Sequence, residues 1–155
     1  MHANQTRAQP HIDPTSQLYC LNANLRKASR MILSLYMDEM HDSGLKGTQF
    51  TLLSTVSGFG AVKVGDLAQF MGMDQTTVTR NVNVLKKDGY LQVVPGDDKR
   101  TRFIQLTEKG MTAVRETHPK WLEAQTKLWK ELGDEKATQL LKLSQQIIDI
   151  AERRG

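Results

Sequence analysis

Apolar residues recur at helical spacing near the start of the chain. From Thr15 onward a stripe repeats every three or four residues, as on one face of an α-helix, and it consists of Leu18, Leu21, Leu25, Ala28, Ile32 and Leu35. The pattern continues to Gly44, which we interpret as the C-terminal stop of the helix. A helix of this length is longer than a small domain can cover, so we expect its apolar face to need a second chain. Residues 1–14 contain two prolines and no periodicity, and we interpret them as a mobile tail.

Shorter elements are predicted in the middle of the chain. Thr48 begins an apolar helical segment that closes near Gly60, and Val62–Val64 is consistent with a minimal strand. A short helix is predicted from Gly65 to Met71, with three residues facing inward: Leu67, Ala68 and Phe70. The tight break that follows at residues 72–74 separates this helix from the next one.

The helix after the break has two distinct faces. Asp74 is its predicted N-cap, because a carboxylate can accept the free backbone amides of the following turn, and Gly89 is its predicted C-terminal cap. An apolar stripe predicts its buried face, which consists of Val78, Val82 and Leu85.

Two short runs typical of β-strands follow this helix. Tyr90–Val94 and Arg102–Leu106 flank a polar turn, which predicts a hairpin with a charged tip. Thr107 is the predicted cap of a further helix, which Pro119 should bend or interrupt. A last amphipathic helix is predicted after Gly133.

Two short helices joined by a tight break and followed by a hairpin form a winged helix-turn-helix. The fold class predicted is mainly α with a small β-wing, in which a winged helix-turn-helix DNA-binding lobe is flanked by N- and C-terminal helices. The corresponding boundaries are a tail at 1–14, an N-terminal dimerisation helix at 15–44, the winged helix-turn-helix at 45–110 and C-terminal helices at 111–155.

The outward face of the second helix suits a DNA major groove, which requires hydrogen-bond donors and acceptors together with cations for the phosphates. Its candidate DNA-binding residues are Gln75, Thr76, Thr77, Thr79, Arg80, Asn83 and Lys86. The hairpin tip adds Lys99, Arg100 and Arg102 on a narrow ribbon that can enter a minor groove or follow its phosphates. Asp98 is predicted to orient Arg100 through a charge-assisted hydrogen bond. The predicted partner is therefore double-stranded DNA.

Composition and charge bear on whether the protein is a membrane protein, a secreted protein or an enzyme. The formal net charge of +4 permits a polyanionic partner without demonstrating one. No stretch approaches the roughly 18 consecutive apolar residues of a membrane helix, and the N-terminus lacks the apolar run of a secretory signal. The single cysteine cannot form an internal disulfide, which fits a reducing compartment. These features together predict a cytoplasmic protein. Since no catalytic, phosphate-loop or metal-ligand pattern is present, we expect that it is not an enzyme and uses no metal or cofactor.

Motifs in the chain resemble the MarR family of transcription regulators. Residues 98–110 (Asp-Lys-Arg-Thr-Arg-Phe-Ile-Gln-Leu-Thr-Glu-Lys-Gly) resemble its wing signature, which is Asp-x-Arg, a strand and Leu-Thr-x-x-Gly. Residues 74–80 resemble the opening of its recognition helix, residues 44–53 resemble its second helix, and the likeness extends from Leu18 to Arg154. The resemblance implies a homodimer built from the N- and C-terminal dimerisation helices and bound to a pseudo-palindromic operator, usually as a repressor released by a small ligand or an oxidant. It makes Asp98 and Arg100 the wing pair.

The same resemblance implies that the effector is a small aromatic or phenolic acid. Candidate residues for lining its pocket are Tyr36, Met40, Phe50 and Phe59, and Arg30 is the candidate partner for a carboxylate.

Two alternatives stay open. Cys20 is a candidate thiol for oxidant sensing within the same fold. In the branch of the family that senses peroxides, however, alignment places the reactive cysteine at Asn22, about 200° around the helix from Cys20. The other alternative is a protein-interaction adaptor that has kept the winged helix without DNA affinity.

Overall fold

The computed structural model describes residues 12–96, 98 and 101–154. These residues belong to two compact units, Met1–Ser34 and Leu35–Gly155. Most of the predicted tail at 1–14 lies outside the described residues. Within the described part, none of the helices is long and apolar enough to cross a membrane.

The order of elements is the predicted one. A short 3-10 helix at Gln17–Tyr19 precedes α1 (Leu21–Glu39), α2 (Gly47–Phe59), β1 (Ala61–Val62), α3 (Val64–Met71), α4 (Gln75–Lys87), β2 (Leu91–Pro95), β3 (Arg102–Leu106), α5 (Glu108–Leu132) and α6 (Asp134–Glu152). The predicted fold class, mainly helical with a small wing, is confirmed.

In the N-terminal unit, the predicted continuous helix is divided at Cys20. The backbone of Cys20 is not helical, with ψ at 116°. The side-chain amide of Asn24 donates to the carbonyl oxygens of Leu18 and Cys20, at 3.2 and 2.9 Å, and so satisfies backbone acceptors at the break. The apolar side chains of Leu21, Leu25 and Met31 on α1 are exposed.

The second unit has its core between α2, α3, α4 and a three-stranded antiparallel sheet in the order β1-β3-β2. Ile104 at the centre of β3 pairs with Val62 of β1 on one side and Val93 of β2 on the other. Burial of apolar side chains supplies the main stabilisation of such a core. The fully buried residues include Leu52, Leu53, Val56, Leu67, Val78 and Leu85.

The position of Phe70 differs from the prediction. Phe70 is 66% exposed, so its predicted inward orientation is wrong. The inward arc of α3 runs through Leu67 and Ala68, which are buried, and Phe70 falls outside that arc. Its ring instead packs edge-to-face against Phe59, with 5.1 Å between the ring centroids.

Pro119 does not interrupt α5, which is continuous from Glu108 to Leu132. A proline inside a helix leaves the carbonyl of the residue four positions earlier without its usual donor. That residue is Arg115, and both Arg115 and Pro119 are exposed, so water can reach the carbonyl.

Close contacts join the end of α4 to the start of α5. The Thr107 hydroxyl donates to the carbonyl oxygen of Gly89 at 2.6 Å and accepts from the Gly110 amide at 3.1 Å. Gly110 lies so close to Tyr90 that a Cβ built on it would be 2.2 Å from the Tyr90 carbonyl oxygen. We call this arrangement the α4–α5 junction and include in it the contacts of Asp88, Gly89, Tyr90, Thr107, Lys109 and Gly110.

Substitution of Gly110 tests the closeness of this junction. Gly110→Ala is expected to lower the free energy of unfolding by about 1–3 kcal/mol, because the added methyl group meets backbone atoms that must shift. The measurement is urea denaturation followed by circular dichroism.

Gly65→Ala is the matched control. A Cβ at Gly65 in α3 meets nothing within 4 Å, so alanine should be neutral or should stabilise the helix by up to about 1 kcal/mol. Equal stability of the two variants would contradict the close approach at Gly110.

Candidate nucleic-acid interface

The N-terminus of α4 is fixed by Asp74, as predicted. The Asp74 carboxylate accepts from the backbone amide of Thr77 at 2.8 Å and from the Thr77 hydroxyl at 2.5 Å. The hydrogen bond from the Thr77 side chain, followed by the one from its backbone, lowers the pKa of Asp74 below its usual value. The Asp74 carboxylate is therefore negatively charged at neutral pH, and this charge interacts favourably with the positive end of the α4 dipole.

The apolar and polar residues of α4 lie on opposite sides of the helix, as their spacing predicts. Val78, Val82 and Leu85 are buried, which confirms the predicted apolar stripe. The opposite side forms a concave surface that we call the recognition face, lined by Gln75, Thr76, Thr79, Arg80, Asn83, Val84 and Lys87. None of these seven residues is acidic.

The recognition face and the predicted DNA-binding residues overlap but differ. Thr77 and Lys86 are not among the residues that line the face. The Thr77 hydroxyl is instead bonded to the Asp74 carboxylate. Lys87 lines the face, as its outward position in the helical spacing predicts, and so does Val84, which was not among the predicted site residues. Val84 follows Arg80 by four residues, so helical spacing alone places it on the same face. The prediction omitted it because only polar and charged residues were considered as DNA contacts.

The side chains of the recognition face have hydrogen-bonding groups suited to contact with bases in a DNA groove. Amide groups from Gln75 and Asn83 both donate and accept, and Arg80 supplies a forked donor. The Thr79 hydroxyl donates to the carbonyl oxygen of Gln75 at 2.7 Å, which leaves its oxygen lone pairs as acceptors. Base edges in a major groove present the complementary set of donors and acceptors, and Lys87 adds a cation for a phosphate.

The wing is formed by β2 and β3, and its tip is only partly described. Lys99 and Arg100 lie outside the described residues, so their predicted DNA contacts and the predicted pairing of Asp98 with Arg100 stay predictions. Arg102 is exposed at the start of β3, where it pairs with Pro95 of β2. An exposed cation at this point of the hairpin is available to a phosphate.

A second concavity lies beside α2, within the second unit. This aromatic cleft, of about 560 Å³, is lined by Phe50, Thr51, Ser54, Thr55, Gly58, Phe59, Phe70, His118 and Trp121. Of the predicted pocket residues, Phe50 and Phe59 line it, whereas Met40 is buried in the core. Tyr36 packs against Trp121 with 6.5 Å between the rings and donates its hydroxyl to Gln125. Arg30 is exposed on α1 in the N-terminal unit.

Ser54 is the unusual polar group of the aromatic cleft. The hydroxyls of its neighbours Thr51 and Thr55 donate to backbone carbonyl oxygens of α2, each at 2.9 Å. The Ser54 Oγ is buried and has no hydrogen-bond partner among the described residues. A buried polar atom in this condition is destabilising unless water or a ligand bonds to it.

The structure adds little to the two remaining kinds of site, a redox-active thiol and a metal site. Cys20 is an exposed free thiol in the N-terminal unit. No group of three or more histidine, cysteine, aspartate or glutamate side chains in the described part of the chain is arranged to hold a metal ion.

A capped helix with a carboxylate-free polar face, set against a hairpin, defines a DNA-binding protein of the winged helix-turn-helix class. The sequence model of the MarR family matches residues 43–101, which contain α4 and the start of the wing. The chain belongs to the MarR family, whose members are transcriptional regulators and not enzymes, and it is a DNA-binding transcriptional regulator.

Solved structures and curated relatives agree with this membership. The M. tuberculosis regulator MOSR, solved in complex with DNA, is 30% identical, with a TM-score of 0.72 over 84% of this chain and 98% of that one. Bordetella bronchiseptica BpsR shares the fold at 23% identity, with a TM-score of 0.78 over 88% of this chain and 99% of that one. The Escherichia coli transcriptional repressor MprA is 28% identical over 68% of this chain, and the match spans 61% of its own length.

Removal of the guanidinium at the centre of the recognition face is the direct test of that face. Arg80→Ala is expected to weaken binding to a duplex selected by the wild-type protein by about 1–3 kcal/mol for each half-site, because a forked donor to base edges is lost. Fluorescence anisotropy with a labelled duplex measures the affinity.

Arg115→Ala is the matched control, since it removes the same charge from an exposed position on α5. Its affinity should stay close to that of the wild type. If the two variants lost affinity equally, the effect would come from net charge and the assignment of Arg80 to base reading would be wrong.

Proposed function

We propose that this chain is a homodimeric repressor that binds a pseudo-palindromic operator and is released from it by a small aromatic ligand. The observation that carries the DNA-binding part is the recognition face, a single side of α4 with amides, hydroxyls, a guanidinium and an ammonium group and no acidic residue. The repressor part is supported by the likeness to MprA, which is a transcriptional repressor.

The homodimer is supported by the surface of α6. Its polar residues, among them Thr138, Lys142 and Gln145, share one side. Its other side carries exposed apolar side chains at Leu140, Leu141, Leu143, Ile147, Ile148 and Ile150. An apolar surface this continuous marks a protein interface. A dimer that reads two half-sites has to present its recognition helices to successive major grooves, about 34–36 Å apart, and a twofold axis through α6 is the arrangement that we propose for this.

Charges placed on the apolar side of α6 test the dimer. Leu141→Glu combined with Ile148→Glu is expected to give a monomer in sedimentation velocity, because two carboxylates would have to be buried at the interface. The same variant should lose most of its affinity for the selected duplex, since a monomer holds only one half-site.

Gln139→Glu combined with Gln146→Glu is the control, with the same charges and the same seven-residue spacing on the polar side of α6. This variant should stay dimeric. A dimer that persisted in the Leu141 and Ile148 variant would contradict the use of α6 as the interface.

Operator binding and repression are tested together. Selection from a randomised duplex library should enrich a pseudo-palindrome, and its affinity should fall steeply with salt, as expected when several phosphates are neutralised. In a reporter driven by a promoter that overlaps this sequence, the protein should lower expression. Raised expression would overturn the assignment as a repressor.

The aromatic cleft supports a ligand with an uncharged hydrogen-bonding group. Aromatic rings from Phe50, Phe59 and Trp121 form its walls, and its volume lies in the range of small-molecule sites. The described residues that line it include no lysine or arginine, and their one basic side chain is the imidazole of His118, which is exposed. A carboxylate would therefore lose hydration there without a permanently charged partner. Regulation of DNA binding by a small molecule is supported by BpsR, whose DNA binding is regulated by 6-hydroxynicotinic acid.

Paired ligands test this preference. Naphthol is expected to bind more tightly than naphthoate in isothermal titration calorimetry, and to lower the affinity for the selected duplex. The reason is that its hydroxyl can bond to the Ser54 hydroxyl once this buried group turns towards the cleft that Ser54 lines. Ser54→Ala should weaken the binding of naphthol.

Ser57→Ala is the matched control, since Ser57 is exposed on α2 and does not line the cleft. Its affinity for naphthol should equal that of the wild type. Tighter binding of naphthoate would show that a cationic group holds the ligand, and the preference for an uncharged group would be wrong.

A further inference from the structure

Val84 is the apolar member of the recognition face. It is 47% exposed, whereas the apolar residues that hold α4 to the core are buried on the opposite side. The other six residues of the face are hydrogen-bonding or cationic. Val84 therefore presents methyl groups where the rest of the helix presents donors and acceptors.

The surroundings of Val84 place it between two cations. On one side it lines the recognition face together with Lys87. On its other side it lines a smaller hollow between α4 and the start of α2, together with Lys46 and Thr48. Both lysines are exposed. A helix in a major groove has phosphate strands on either side and base edges beneath its middle, so a residue between two flanking cations lies over the bases.

One base presents an apolar group in the major groove. Thymine carries a C5-methyl group there, and apolar side chains recognise it by contact. Valine is branched at Cβ and holds essentially one χ1 rotamer in a helix, so its methyl groups have fixed positions. We propose that Val84 is a specificity-determining residue that contacts a thymine methyl group in each half-site of the operator.

The helix geometry sets where that thymine lies. Val84 follows Arg80 by four residues, which is about 6 Å along the helix axis. Base pairs are about 3.4 Å apart, so the thymine should lie within about two base pairs of the base that Arg80 contacts. Arginine most often reads guanine, so each half-site should contain a guanine and a thymine at this separation.

The experiment removes one methyl group at a time. The wild-type protein first selects a sequence from a randomised duplex library, and each thymine of the selected half-site is then replaced by deoxyuridine, which pairs identically but lacks the methyl group. At one position the affinity of the wild type is expected to fall about fourfold per half-site, which corresponds to about 0.8 kcal/mol for a buried methyl group.

Variants of Val84 identify the contact. Val84→Ala should bind the thymine and deoxyuridine duplexes equally, and Val84→Ile, which keeps the branch at Cβ and an apolar group on each arm, should still discriminate between them. A purely structural role would lower the affinity for both duplexes together and leave their ratio unchanged. Discrimination that survives in Val84→Ala, or a wild type that responds to no deoxyuridine, would overturn the inference.

This inference rests on the proposed operator binding, but the two can fail separately. A wild-type protein that enriches no sequence from the library would overturn both. A wild-type protein that enriches a pseudo-palindrome and ignores the thymine methyl groups would leave operator binding in place and remove only the role of Val84.

Discussion

The direction of the recognition helix depends on the hydrogen bonds of one threonine. At the α4–α5 junction, Thr107 caps α5 by accepting from Gly110 and donates to Gly89, the residue that follows the C-cap of α4. The Lys109 ammonium adds a hydrogen bond to the Asp88 carbonyl oxygen at 2.6 Å and lies 4.4 Å from the centre of the Tyr90 ring. These hydrogen bonds join the residues that follow α4 to the first turn of α5. A rotation of α4 would therefore break contacts at the start of α5. The Leu-Thr-x-x-Gly run of the sequence therefore has a structural role.

Local signals in the sequence predicted most of the DNA-binding lobe. The cap at Asp74, the buried stripe through Val78 and Val82, and the two strands of the wing all depend on neighbours within a few residues. Side-chain type and helical spacing are sufficient for such features. The same reasoning failed at Phe70, because an apolar residue at the edge of an amphipathic arc can face either way. Only the position of Phe59 decides it.

The aromatic cleft could be predicted only in part, because its walls come from distant parts of the chain. Phe50 and Ser54 belong to α2, Phe70 to α3, and His118 and Trp121 to α5. No periodicity within one helix shows that these elements meet. The unpartnered state of the Ser54 hydroxyl likewise depends on its side-chain conformation in the packed structure, since the hydroxyls of Thr51 and Thr55 on the same helix donate to backbone carbonyl oxygens and that of Ser54 does not. For Val84 the limitation was different: its position followed from spacing, but its exposure and its place between Lys46 and Lys87 required the packed structure.

The cleft and the recognition face are connected at both ends of α4. The wall formed by Phe70 belongs to α3, which ends at Gly72 in a left-handed conformation two residues before the Asp74 cap. The wall formed by Trp121 belongs to α5, whose first turn holds the other end of α4 through Thr107. A ligand shifts a conformational equilibrium only as far as it binds one state better than the other. If the proposed ligand binds the cleft better at one separation of α3 and α5, it therefore acts on α4 at both ends of that helix. In the proposed dimer, a displacement of α4 would change the distance between the two recognition helices, and with it the fit to the two half-sites.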